Sequence, residues 1–166
     1  MNRVVAADIE ARLVRVALEG EALTRLSPIL EADRAQAVAD LEAENRFAPL
    51  GAKKAAHGPF ALHLSIQEGR LVFDIRHADG SPLTAIVLAL GPFRRLIKDY
   101  QLLVDSHIKA VEEGREARIQ AIDMGRRGLH NEGAELMMQR LEGKIAMDFA
   151  TARRLFTLVC VLHQRI

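Results

Sequence analysis

Residues 60–90 read FALHLSIQEGRLVFDIRHADGSPLTAIVLAL, and this stretch decides the fold class. Apolar residues alternate with others along 60–66 and along 71–76, which is the pattern of β-strands with one buried face. A turn containing Asp79-Gly80 follows the second strand, and Asp-Gly is the strongest short hairpin signal. Residues 83–90 are apolar apart from one threonine, so the third strand is expected to be buried on both faces. The stretch predicts an antiparallel meander.

Alternation also predicts which strand side chains face the helices. Six of them are expected to be buried: Leu62, Leu64, Leu71, Phe73, Ile75 and Ile86.

Helical patterns lie on both sides of the meander. Ser27-Pro28 is a typical helix start, with serine as the cap and proline in the first turn, and it predicts a surface helix over about 28–46. Apolar residues at helical spacing over 93–111 predict a second helix. The nearly all-apolar run within 149–163, capped by Asp148, predicts a last helix that is central to the core. A strand over 12–18 precedes them all.

These elements predict one globular α+β domain over residues 1–166, with an antiparallel sheet of three or four strands and helices packed on one face. Two segments are expected to be flexible, the N-terminus at 1–10 and a proline- and glycine-containing loop at 47–59. Residues 144–148 are short enough to form either a strand or a linker.

Composition narrows the class of protein. The formal net charge is +1, so no global field favours nucleic acid or a membrane surface as a partner. The single tyrosine and six phenylalanines offer few stacking platforms for RNA, and we predict no nucleic-acid partner. The first residues lack the apolar core of a signal peptide, and no apolar run is long enough to cross a membrane. We therefore predict a cytoplasmic protein.

Metal and cofactor sites are not indicated. The six histidines lack metal-ligand spacing, and one cysteine, Cys160, cannot complete a zinc site or an internal disulfide. Cys160 lies in an apolar run and is interpreted as a small buried hydrophobe. No nucleotide-binding glycine motif is present. We predict no metal and no cofactor.

The stretch at 122–133, IDMGRRGLHNEG, has the highest density of residues able to bind a charged group. Two interpretations of the surrounding helical region, 119–141, are open. In the first it is one helix, and Gly125 and Gly133 fall on its apolar stripe, where a second helix must approach closely. In the second the helix stops at Gly125, and Asn131 caps a new helix after a short turn.

Both interpretations are structural and need no ligand, and the same glycines also support a functional interpretation. Backbone amides near Gly128 and a helix N-terminus at Asn131 attract anions, and Arg126 and Arg127 carry donors that fit phosphate or carboxylate. His130 titrates near neutral pH. The leading hypothesis is a non-enzymatic binding or interaction module that holds an anionic small molecule or protein partner at these five residues.

Two alternatives accompany this hypothesis. In a small enzyme, His130 is the general acid or base, acting on a phosphorylated or carboxylated small molecule, and Glu132 or Asp123 orients it. The arginines of the helical regions either form one basic face or are scattered over the surface as separately solvated charges. They are Arg94, Arg95, Arg126, Arg127, Arg153 and Arg154.

Three long segments carry a resemblance to a known family. They are PFRRLIKDY at 92–100, AIDMGRRGLHNEG at 121–133 and DFATARRLFTLVCVLH at 148–163. The chain resembles the bacterial "uncharacterised protein family 0262" over about residues 12–165. The resemblance implies no particular activity, cofactor, partner or catalytic residue.

Overall fold

The computed structural model describes residues 10–20, 26–51 and 57–163. The elements in chain order are β1 (Leu13–Glu19), α1 (Pro28–Ala43), β2 (Phe47–Pro49), β3 (Phe60–Gln67), β4 (Arg70–His77), β5 (Pro82–Ala89), a 3-10 turn (Gly91–Phe93), α2 (Arg94–Glu112), α3 (Glu116–Arg140), β6 (Ile145–Met147) and α4 (Phe149–Leu162). The α+β class is confirmed. The predicted flexible N-terminus lies almost wholly outside the described residues.

The main sheet has four strands in the order β1-β3-β4-β5. The meander β3-β4-β5 is antiparallel throughout, as the sequence predicts. Strand β1 instead pairs with β3 in parallel, with Val16 opposite Leu62. A parallel pair needs a crossover connection, and α1 lies in that connection. The sheet is therefore mixed, although the sequence predicts antiparallel pairing.

The core-facing strand side chains are buried where two neighbouring strands flank them. Five of the six predicted residues are completely inaccessible: Leu62, Leu64, Leu71, Phe73 and Ile75. Ile86 is only partly buried, and the prediction that its strand is buried on both faces is wrong. Strand β5 is at the edge of the sheet, and Val87 on its outer face is 47% exposed. An apolar run does not distinguish a central strand from an edge strand.

A second, two-stranded sheet corrects the predicted loop at 47–59. Strands β2 and β6 pair antiparallel, with Phe47 opposite Met147 and Pro49 opposite Ile145. Both Phe47 and Pro49 are buried, so the first residues of the predicted loop belong to the core. Residues 52–56 lie outside the described ranges. The short segment at 144–148 is thus mainly a strand.

Helix α4 occupies the centre of the core, as predicted. Asp148 caps it by accepting a hydrogen bond from the Thr151 amide at 2.9 Å. The helix contacts α1, α2, α3 and β1. Nine of its fourteen residues are buried, so it carries almost no solvent-facing side. The buried set includes Cys160, and burial raises the pKa of its thiol well above the usual value.

Candidate functional site

The glycine-rich stretch lies within one continuous helix. Helix α3 runs unbroken from Glu116 to Arg140, so the predicted turn near Gly128 and the cap at Asn131 do not form. Two of its three glycines meet neighbouring side chains, as the one-helix interpretation requires. A Cβ at Gly133 would lie 2.4 Å from the Phe156 ring of α4, and one at Gly125 would lie 3.6 Å from Leu103 of α2.

A continuous helix separates the predicted ligand residues into two groups. Successive residues on a straight helix point about 100° apart. Arg126 and His130, one turn apart, are partly buried against the other helices. Arg127, Gly128 and Asn131 are exposed. The structure brings Arg126 and His130 together and leaves the other three on the surface.

Arg126 joins a polar cluster at the junction of α1, α2 and α3. Its Nη2 donates to Oδ2 of Asp33 at 3.0 Å, and the Tyr100 hydroxyl donates to the same oxygen at 2.7 Å. The Arg126 and Asp33 side chains are only 19% and 21% exposed, so solvent screens this ion pair less than a surface one. Burial, followed by the Asp33 charge, raises the pKa of Tyr100, which stays a neutral donor.

His130 is held between two aromatic rings. Its ring centroid lies 5.9 Å from that of Tyr100 and 6.2 Å from that of Phe156, the latter in an edge-on arrangement. The Thr157 hydroxyl donates to the Arg153 carbonyl at 3.2 Å and lies 3.4 Å from Nε2 of His130. A hydroxyl has one hydrogen, so its oxygen remains an acceptor for an Nε2–H of the neutral imidazole.

The electrostatic setting of His130 is positive. Burial, then the charges of Arg126 and Arg153, lower its pKa from 6.5 to about 4, against a smaller opposing effect of Asp33. His130 is therefore neutral at pH 7. Arg153 comes from α4 and is itself partly buried, and its Nε is buried without a hydrogen-bond partner among the described residues. Two guanidinium groups and one carboxylate thus surround one neutral imidazole.

The two acids expected to orient His130 lie near other residues instead. Oε2 of Glu132 accepts from Arg95 of α2 at 3.2 Å on the surface. Oδ1 of Asp123 lies 3.8 Å from Nε2 of His107. The groups that hold His130 are instead Tyr100, Phe156 and Thr157.

The sequence interpretation missed two members of this cluster, Asp33 and Tyr100. Asp33 lies three residues after Leu30 and four before Ala37, both of which are buried. This spacing puts it on the buried face. Tyr100 lies on the apolar stripe of α2, and a buried tyrosine hydroxyl needs a partner. An acid on the buried face of one predicted helix and a tyrosine on the buried face of another are the features from which this contact could have been predicted.

Two clefts border α2 rather than the polar cluster. One, of about 580 Å³, lies along α2 beside His163 and is bordered by the basic residues Arg94 and Lys98. The other, of about 550 Å³, lies between α2 and α3 and is lined by Leu102, Gly125 and Gly128. The exposed glycines of the stretch thus line a shallow, mostly apolar groove.

Two further features of the described ranges bear on the class of site. None of the helices there is both long and apolar enough to cross a lipid bilayer. The same residues contain no group of three or more histidine, cysteine, aspartate or glutamate side chains able to hold a metal ion.

Comparison with known proteins assigns the chain to a family. Residues 10–165 match the family described as "Uncharacterised protein family (UPF0262)". A UPF0262 protein of Granulibacter bethesdensis is 73% identical over 160 residues, covering 93% of this chain and 91% of the relative. One of Acidiphilium cryptum is 62% identical, covering 96% and 97% respectively, and one of Rhodopseudomonas palustris strain HaA2 is 49% identical, covering 94% of each. No solved structure matches the chain at a significant level. The resemblance found in the sequence is confirmed, and the chain belongs to the UPF0262 family.

Proposed function

We propose that this protein is a cytoplasmic binding module whose anion site is the cluster of Arg126, His130 and Arg153. The observation that carries the proposal is the excess of positive charge in a partly buried place, where Arg126 has one carboxylate partner and Nε of Arg153 has no hydrogen-bond partner among the described residues. A buried donor without a partner costs free energy, and an anion that accepts from it recovers that cost.

His130 gives the proposal a measurable signature. Burial and then the cationic neighbours lower the pKa of His130. A bound anion would partly neutralise those neighbours, and a nearby negative charge favours the imidazolium. Anion binding should therefore raise the pKa of His130. By linkage, the anion should bind more tightly as the pH falls toward that pKa.

The enzymatic alternative is less well supported. A general base works best with a pKa near the working pH, and the pKa of His130 lies near 4. Of the acids assigned to orient it, Glu132 pairs with Arg95 and Asp123 lies 3.8 Å from His107. The cluster is better suited to holding charge than to moving protons at neutral pH.

The test is a titration of the His130 imidazole by NMR, with and without inorganic phosphate. The wild-type protein should show a higher His130 pKa with phosphate present, together with thermal stabilisation that grows with phosphate concentration, about 2.7 kcal/mol at a hundredfold excess over Kd. Arg153→Met removes the charge but keeps the aliphatic stem, and it should abolish both phosphate-induced responses.

Arg127→Met is the matched control, because Arg127 is exposed on the same helix as Arg126 and points away from the cluster. It should leave both phosphate responses intact. A response lost in Arg127→Met but kept in Arg153→Met would instead place the anion on the exposed strip of Arg127 and Asn131. An unchanged His130 pKa in wild type would refute the anion site.

A further inference from the structure

The two edges of the main sheet are treated differently by the chain. Edge strands present alternate backbone N–H and C=O groups that have no partner within the sheet. Strand β1 forms one edge and β5 the other. The comparison between them shows which edge is available to a further strand.

Side chains close the edge at β1. The Leu13 amide donates to Oδ1 of Asn45 at 2.7 Å, and Nδ2 of Asn45 donates back to the Leu13 carbonyl at 2.8 Å. The Val16 amide donates to Oε2 of Glu42 at 3.0 Å. Glu42 lies in the last turn of α1 and Asn45 lies just after that helix. The crossover helix and the residues after it therefore cover the β1 edge. Charged Arg15 and Glu19 further protect this strand, because charge discourages edge pairing.

The edge at β5 has none of these devices. Its eight residues, PLTAIVLA, include no charged residue, and no described residue forms a strand or side-chain bridge along its outer edge. Thr84, Ala85, Val87 and Ala89 are exposed. Pro82 sits at the start of the strand, where proline is tolerated at an edge. A long, uncharged and exposed edge is a pairing surface.

We infer that β5 pairs antiparallel with β5 of a second copy of this chain. An antiparallel strand pair has two-fold symmetry, so one strand is complementary to its own copy. Self-pairing brings no like charges opposite one another, because residues 82–89 are uncharged. The two four-stranded sheets then join into one continuous eight-stranded sheet.

The size of the contact sets the strength of the dimer. An eight-residue strand is about 27 Å long. Edge pairing along that length buries less than the roughly 800 Å² per partner of a standard stable interface. The dimer is therefore expected to be weak and concentration-dependent, with dissociation in the micromolar range. This inference is independent of the anion site, which involves α1, α3 and α4.

The test compares one substitution at two exposed valines. Val87 is 47% exposed on β5 and Val111 is 54% exposed on α2. Analytical ultracentrifugation over a concentration series should show a reversible dimer for wild type and for Val111→Lys. Val87→Lys should raise the dissociation constant at least about tenfold, because it places two ammonium groups near the two-fold axis.

Hydrogen exchange separates pairing through β5 from other dimers. Wild-type β5 amides should be better protected at high protein concentration than at low concentration, and Val87→Lys should lose that difference while the β3 and β4 amides stay protected. The inference is overturned if wild type stays monomeric into the high-micromolar range, or if Val87→Lys dimerises as strongly as wild type.

Discussion

At the scale of single residues, His130 shows how position changes chemistry. In the sequence it is a candidate acid or base that titrates near neutral pH. In the fold it lies between Tyr100 and Phe156, near two guanidinium groups, and its pKa falls to about 4. At any pH where the unfolded chain binds a proton at this histidine and the folded protein does not, the free energy of unfolding is lowered.

This difference predicts a pH dependence of stability. The folded pKa of His130, about 4, is below the usual histidine value of 6.5, so between these values the unfolded state binds more protons. The His130 contribution is constant above about pH 6.5 and is lost as the pH falls toward 4, at up to about 1.4 kcal/mol per pH unit.

Urea denaturation of wild type and His130→Gln at several pH values isolates the effect, because other titrating groups are common to both proteins. The wild-type free energy of unfolding should fall more steeply between pH 6.5 and 4. Equal slopes in the two proteins would mean that His130 titrates normally in the fold.

At the scale of elements, the packing of α3 on α4 depends on a glycine. Gly133 is buried, and the Phe156 ring occupies the space where a side chain would begin. Glycine within a helix costs about 1 kcal/mol relative to alanine. Its presence at this position is explained by the close approach of the two helices.

Gly133→Ala should destabilise the protein by about 1–3 kcal/mol, because the steric overlap with Phe156 exceeds the gain in helix propensity. Gly128→Ala, on the same helix with open space around it, should be neutral or stabilise by up to about 1 kcal/mol. Chemical denaturation of both variants provides the comparison. A stabilised Gly133→Ala protein would show that α3 and α4 separate easily.

The sequence predicts elements well where one periodicity dominates. The meander, α2 and the capped central α4 follow from alternation, helical spacing and Asp148. The predicted turn at Gly128, one of the two interpretations of this region, is wrong. Glycine is typical both of a chain break and of a close approach between helices, and only the position of Phe156 distinguishes the two. The exposure of β5 and the pairing of β2 with β6 depend on which strands are neighbours in space. The pattern of apolar residues along the sequence does not contain that information.

The candidate site shows the same limit. Arg126 and His130 are predictable as a pair one helical turn apart, but their partners Asp33 and Arg153 come from α1 and α4. Arg153 is among the arginines that the sequence offers for a basic face. Only the packing of the helices shows that Arg126 and Arg153 act on the same imidazole and that Arg127 is separate.

At the scale of the whole molecule, one core joins the sheet to all four helices. Phe156 is completely buried within it and contacts both Gly133 and His130. Phe149 lies on the same helix but is 41% exposed. Substituting each phenylalanine in turn therefore compares the stability contributed by a buried ring with that contributed by an exposed ring on the same helix.

Phe156→Ala should lower the free energy of unfolding by about 3–5 kcal/mol, which corresponds to a melting temperature lower by at least about 6 °C. Phe149→Ala should change stability by less than about 1 kcal/mol. Calorimetry on both variants checks the contrast. If the Phe156→Ala protein melts within a few degrees of wild type, α4 is not the centre of the core.

The central place of α4 has a consequence for synthesis. A ribosome makes this helix after every other described element, yet α1, α2 and α3 all pack against it. Until α4 emerges, the apolar faces of those helices have no common partner, and the nascent chain exposes surface that promotes aggregation. Folding of the domain should therefore wait until α4 has left the ribosome, and ribosome-bound chains that end before residue 149 should be clients for chaperones.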